Sequence, residues 1–242
     1  MAVTDAGVRE RIDKLSRFIK DNVDRAGAKG AVVGVSGGVD SAVVLGLCAR
    51  ALPGSTLALI LPCKSDPLDK EYALMVIHKF GVPYREIVLD RVYDSFVGAA
   101  GGEPSRLVLA NVKVRLRMIS WYYWANTHNY LVVGTGNKAE IIMGYFTKYG
   151  DGGTDILPLA NLTKSEVREV ARALEVPEQI IARAPTAGLW VGQTDEGEMG
   201  ITYDEIDRYI KGEEVNPAAR ELIERRKVAN AHKLRPPVTL EE

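Results

Sequence analysis

Cysteine is scarce in this chain: only Cys48 and Cys63 occur in 242 residues, with no C-x-x-C pair. That excludes a zinc framework and a disulfide scaffold built from this sequence alone, and it predicts a reducing compartment. Net charge is lacking as well. Lys and Arg number 31 against 32 Asp and Glu, so no bulk field marks a nucleic-acid or membrane-surface partner. Long apolar runs are missing too, since none approaches the roughly 18 residues of a spanning helix. The start, MAVTDAGVRERIDKL, is amphipathic and does not have the charged tip and apolar core of a secretory signal. Together these absences predict a soluble, cytoplasmic protein with no membrane and no nucleic-acid partner, in which any phosphate chemistry rests on local clusters.

What is present is a 46% hydrophobic chain, long enough for one sizeable domain and too short for two large ones. Val8, Ile12, Leu15, Ile19 and Val23 recur at helical spacing across residues 4–25. Strands are expected at 31–35, 56–61, 84–89 and 130–133. Helices are expected at 40–52, which Pro53 and Gly54 end, at 68–80 and at 105–128, with a loop over 98–104. The long helix carries Trp121, Tyr122, Tyr123 and Trp124 and an apolar stripe of Val112, Leu116, Ile119 and Tyr123. Strands alternating with helices imply a Rossmann-like three-layer α/β fold, a mainly parallel sheet flanked by helices. We read residues 1–242 as one domain with extra C-terminal helices at 203–210 and 218–231. The glycine-rich polar stretches 144–155 and 184–200 are long for loops in such a domain, and loops of that kind are more often functional or mobile than idle.

The stretch GVSGGVDSAVV ends a buried strand and opens a helix, so several backbone N–H groups converge before a helix N-terminus, the geometry of an anion site. Ser36 and Ser41 add hydroxyls, while Gly37 and Gly38 keep Cβ atoms out of the way. The loop has no basic residue, and it places an acid, Asp40, where a phosphate calls for a cation.

Two other motifs compete. Gly34-Val35-Ser36-Gly37-Gly38 satisfies G-x-S-x-G, the nucleophile elbow, but it follows the first strand and the only late histidine is His232. Gly134 to Ala139 matches G-x-G-x-x-A, with Asp155 about 20 residues on, yet Gly144 cuts the next helix too short for a dinucleotide crossover.

The string SGGVDS resembles the pyrophosphate loop of the ATP pyrophosphatase family. The stretches ANVKVRLRM (110–118), GTGNKAE (134–140), FTKYGDGG (146–153), LTK (162–164), APTA (184–187) and His232-Lys233 are, in the same order, similar to those of ammonia-dependent NAD synthetases. The resemblance implies a ligase that uses ATP to couple ammonia to deamido-NAD through an adenylate, with release of AMP and pyrophosphate. It assigns magnesium to Asp40 and Glu140, which answers the question the acid raises. It assigns ATP to Gly34, Val35, Ser36, Gly37, Gly38, Val39, Asp40, Ser41, Thr135, Lys164 and Thr186. Deamido-NAD falls to Arg115, Lys148, Asp155, His232 and Lys233. Asp151 is the choice for steering ammonium or taking its proton; read conservatively, it is a turn residue. Taken alone, Lys164 is an ordinary solvated lysine and Arg115 one of several cations on the polar side of its helix.

This chain departs from the usual G-T-D-H-A-A-E at Gly136, Asn137 and Lys138, so contacts from those positions do not carry over, and Leu189-Trp190-Val191 stands where many relatives are more acidic. The alternatives are another adenylating ATP pyrophosphatase, such as a tRNA-modifying enzyme, or a nucleotide sensor without turnover. The aromatic surface of the long helix, together with the resemblance, implies a homodimer. With 33 residues ahead of Gly34 and no cysteine among them, ammonia is expected to be used directly or to come from a separate amidase.

Overall fold

The computed structural model describes residues 5–190 and 192–240. Four parallel strands form one sheet in the order β3-β2-β1-β4, comprising β1 (Ala31–Gly34), β2 (Thr56–Ile60), β3 (Tyr84–Glu86) and β4 (Leu131–Val133). Because the strands run parallel, the chain must cross over between them. It does so through α2 (Val39–Ala51), α3 (Pro67–Phe80), and α4 (Asp90–Ala100) followed by α5 (Arg106–His128). Local signals set the ends of these helices. Asp66 caps α3, accepting from Leu68 N–H, and Gly81 closes it with φ 63°. Ser105 caps α5, accepting from Val108 N–H, and Asn129 ends it in the left-handed region with φ 55°.

Alternation along the strands divides the core. Ala31 and Val33 face α1 (Asp5–Arg25), α2 and α7 (Lys164–Ala173), where Ile19, Val43, Leu47 and Val170 are fully or almost fully buried. Val32, Leu57 and Leu59 face α4 and α5. Each fully buried aliphatic side chain contributes roughly 1.5–3 kcal/mol. A third cluster joins α6 (Lys138–Met143), α9 (Asp195–Met199), α10 (Tyr203–Ile210) and α11 (Pro217–Asn230) through Met143, Met199, Tyr203, Ile206 and Ile223. This third cluster underlies the helices that carry Glu140 and Asp195.

Several expectations change. The loop expected from Gly98 begins later, because α4 runs to Ala100. Leu89, expected to end a strand, is the N-cap of α4 and starts the inward stripe Leu89, Tyr93 and Val97. In α5 the buried face is Ala110, Lys113, Val114 and Ala125, while Ile119 is 58% and Tyr123 65% exposed. The stripe therefore holds only at Val112 and Leu116, and Trp121, Tyr122 and Trp124 pack against the core. The expected loop 184–200 contains α9, and a short helix α8 (Glu178–Ile181) precedes it. His232 and Lys233 lie in a 3-10 turn, Ala231–Lys233.

Candidate active site

The strand order reverses direction between β1 and β4, and the loops leaving their C-terminal ends diverge there into a crevice. Asp40 lies in the first turn of the helix after β1, and Glu140 in the first turn of the helix after β4. The topology thus brings together two acids that are a hundred positions apart. Except for Gly37 and Asp155, every site residue expected from the sequence lines one cavity of about 930 Å3.

In the loop, Ser41 Oγ accepts from Ser36 N–H (3.2 Å) and donates to the Gly38 carbonyl (2.9 Å), while Ser36 Oγ accepts from Gly38 N–H (3.3 Å). Among the described residues the Ser36 hydroxyl meets Gly38 and Ser41 and no histidine, which gives the elbow reading no base. Gly37 serves the turn and not the cavity. Its φ is +82°, and a Cβ there would meet the Asp69 carbonyl at 2.4 Å. Gly34 makes room for Trp121, whose indole nitrogen would be 2.5 Å from a Cβ.

At the centre, Lys164 forms an ion pair with Asp40 and stands 3.9 Å from Glu140 Oε1. It is no solvated lysine, being only 2% exposed. Thr163 and Glu166 form a capping box that starts α7 at this residue, and Asp207 of α10 accepts from the backbone N–H groups of Lys164 (3.1 Å) and Ser165 (2.8 Å). Burial works against the ammonium, but the charges of Asp40 and Glu140 prevail and keep it protonated.

Asn137, one of the departing positions, is fully buried and orients both acids. Its amide donates to Asp40 Oδ1 (3.0 Å), its carbonyl oxygen accepts from Glu140 N–H (3.1 Å), and its own N–H donates to Glu140 Oε2 (3.1 Å). The resemblance does not point to Asn137, although N-x-x-E is a legible capping signal in the sequence. Burial, followed by the charge of Asp40, pushes Glu140 up to about 8. Two crowded carboxylates with one ammonium between them are short of positive charge. No group of three or more His, Cys, Asp or Glu side chains converges in a metal-binding arrangement among the described residues. A pair nevertheless fits magnesium, which takes one or two carboxylates and fills the rest of its shell with water and phosphate oxygens.

The opposite wall is cationic. Arg115 donates to the Lys148 carbonyl (3.2 Å), Lys148 to the His232 carbonyl (2.8 Å), and Lys233 to the carbonyls of Gly144 (2.7 Å) and Phe146 (2.9 Å). Burial lowers Lys233, and Asp151 partly restores it. Asp151 closes the turn of 144–155, accepting from Thr147 N–H (2.7 Å). Asp151 keeps contact with solvent, yet desolvation by the surrounding protein pushes its carboxyl above the usual range. Arg117, partly buried and donating to the Leu61 carbonyl (3.2 Å) and Ser65 Oγ (3.1 Å), adds another unassigned cation to the lining.

Asp155 is the exception. It accepts from Val132 N–H (2.7 Å) and Tyr122 Oη (3.0 Å), an exposed position that braces β4 outside the cavity lining. Thr186 Oγ accepts from Gly188 N–H (3.1 Å) and shapes the start of the 184–200 segment. Two contacts from α5 hold that segment in place: Lys113 donates to the Leu189 carbonyl (2.7 Å), and Arg106 lies 4.5 Å over the ring of Trp190.

The model of the NAD synthase family matches residues 11–237 of this chain. The NH3-dependent NAD+ synthetase of Carboxydothermus hydrogenoformans is 48% identical over 232 residues, covering 94% of this chain and 96% of that one. Among solved structures, the NMN synthetase from Francisella tularensis superposes with a TM-score of 0.94 at 40% identity, over 97% of this chain and 99% of that one. The NH3-dependent NAD synthetase from Campylobacter jejuni, solved with a nitrate ion, superposes with a TM-score of 0.83 at 29% identity, over 97% and 99%.

Proposed function

The chain belongs to the NAD synthase family, and from that premise we propose that it makes NAD from deamido-NAD, ATP and ammonia, as a ligase forming a carbon–nitrogen bond. One observation carries the reading. One cleft of about 930 Å3 at the sheet's switch point joins an acid-rich wall on a glycine loop to a cationic wall.

ATP lies along residues 34–41, with Thr135, Lys164 and Thr186 around it. Asp40 and Glu140 hold magnesium, which when bound screens triphosphate charge and polarises the phosphoryl oxygens. The nicotinate carboxylate attacks the α-phosphorus, pyrophosphate leaves towards Lys164, and ammonia then displaces AMP from the adenylate. Neither step needs a protein nucleophile, so the chain contributes placement and charge. Arg115, Lys148, His232 and Lys233 hold the anionic dinucleotide, with Asp155 contributing from the rim. Asp151 steers ammonium or takes its proton, a role suited to a carboxyl whose surroundings raise its proton affinity.

Incubation with Mg2+, ATP, deamido-NAD and ammonium tests this directly. AMP, pyrophosphate and NAD are expected in equal amounts, and a sensor would make none. The close superposition on an NMN synthetase favours a second reading of the acceptor alone, in which nicotinate mononucleotide takes the place of the dinucleotide. Comparing kcat/KM for the two acceptors decides between them.

We also place two copies in the working enzyme. Val92 and Phe96 of α4, with Leu107, Val108, Ile119 and Tyr123 of α5, are each more than half exposed, an apolar surface that a second copy would cover. Light scattering at micromolar concentration should give twice the chain mass; a monomer would refute the assignment. No described helix is long and apolar enough to cross a membrane, and both cysteines are free and buried, in keeping with a cytoplasmic setting.

A further inference from the structure

Tyr203, at the start of α10, is 2% exposed, and its hydroxyl lies between two carboxylates: 3.2 Å from Glu140 Oε1 and 3.1 Å from Asp195 Oδ2 of α9. Its ring underlies the Lys164 ammonium at 4.7 Å. Asp195 is itself buried, and its other oxygen accepts from Tyr145 Oη (3.2 Å), which also lies 2.7 Å from Glu198. A phenol has one proton, so Tyr203 donates to Glu140 or to Asp195 at any instant, not to both. Burial and the flanking acids push the phenol far above its ordinary value, so the proton stays on the hydroxyl.

From this geometry we infer that Tyr203 is a positioning residue that couples the Asp40–Glu140–Lys164 cluster to α9 in the 184–200 segment. When a cation occupies Glu140, that carboxylate no longer competes for the phenolic proton. The hydroxyl, keeping its proton, then turns its hydrogen bond to Asp195 and tightens the anchor of α9 against the site. Loss of the cation lets the hydroxyl turn back to Glu140 and loosens α9. The inference rests on the magnesium reading given above, and it adds a link from the charge cluster to a segment of the cleft wall.

Tyr203→Phe keeps the ring under Lys164 and removes only the hydroxyl. A control, Glu196→Ala, cuts a different tie between α9 and α10, the 2.9 Å bond from Tyr203 N–H to Glu196, without touching Glu140. Amide hydrogen exchange over residues 195–199 is measured with and without Mg2+ and ATP, alongside the Mg2+ dependence of NAD formation; circular dichroism checks the fold. In the wild type, Mg2+ with ATP should slow exchange in α9. In Tyr203→Phe that slowing should vanish, and half-saturating Mg2+ should rise about tenfold, with a smaller fall in kcat. Glu196→Ala should speed exchange but keep both the slowing and the wild-type Mg2+ response. Slowing that persists in Tyr203→Phe, an unchanged Mg2+ dependence, or no slowing in the wild type would each overturn the coupling. A flat Mg2+ profile in the unmutated enzyme would instead show that the magnesium reading itself has failed.

Discussion

The two walls of the cleft are built on opposite charge plans. On the wall of residues 34–41, Asp40, Glu140 and Asp195 crowd around one ammonium, Lys164; with all three ionised the charge would be negative in excess, and burial together with the charge of Asp40 raises Glu140 and Asp195 accordingly. On the other wall Arg115, Lys148 and Lys233 all donate to backbone carbonyls, and none pairs with a carboxylate within 4.0 Å among the described residues. A neutral carbonyl fixes a cation's position without cancelling its charge. The first wall is therefore suited to a polyanion that arrives with a dication, and the second to an anion that arrives without one.

Removing an acid should break this contrast most severely. Asp40→Asn and Glu140→Gln should each lower kcat/KM at limiting Mg2+ by about 10²–10³-fold, the usual scale for losing a transition-state charge contact. Asp40→Asn should also lower the melting temperature, since Lys164 loses its direct ion-pair partner and keeps Glu140, at 3.9 Å, and Asp195 as its remaining counter-charges. Turnover that stays unchanged would cancel the metal assignment. Next in size, Arg115→Ala or Lys233→Ala should raise KM for deamido-NAD about tenfold or more, as expected for a lost charge-assisted bond, with KM for ATP nearly unmoved. Equal effects on both substrates would erase the distinction between the walls.

A smaller effect should follow pH. Because burial lowers Lys233, its ammonium is lost at a lower pH than an ordinary lysine's, so KM for deamido-NAD should begin to climb below the normal lysine range. Lys233→Arg, which keeps its charge, should move that climb to higher pH; a pH profile identical to wild type would remove Lys233 from the acceptor site. The demand for total ammonium should fall over the same range as neutral ammonia becomes available, and glutamine should not replace ammonium for this chain. Formation of NAD from glutamine, with ammonia scavenged, would contradict that. The smallest expectation is zero: Ser36, whose hydroxyl is spent on Gly38 and Ser41, should not be labelled by a fluorophosphonate.

Much of the acid-rich wall can be read from residue order, because a strand, a glycine turn and a helix fix where Asp40 must lie, and parallel topology fixes where the loop after β4 meets it. The parts that cannot be read are those set by long-range packing. Lys164 looks like any solvated lysine until Asp207, 43 positions away, is seen capping its helix. Tyr203 and Asp195 carry no motif, since the tie between them forms only when α6, α9 and α10 share one apolar cluster. The extent of α4 was hidden because Leu89 continues an apolar run that reads as strand, and its backbone does bond to Pro62 beside β2 before the helix begins. Asp155 is the reverse case: the resemblance assigns it to the dinucleotide, and within one chain its carboxylate braces Val132 and Tyr122, contacts that no sequence motif announces.

Calorimetric titration of each substrate alone, with Mg2+ and then with a chelator, tests the two charge plans most directly. The account predicts that ATP binding weakens at least about 100-fold when Mg2+ is removed, as an acid-rich wall without its dication would repel the triphosphate, while deamido-NAD binding changes less than about twofold. ATP binding that is indifferent to Mg2+, or deamido-NAD binding that needs it equally, would contradict the account.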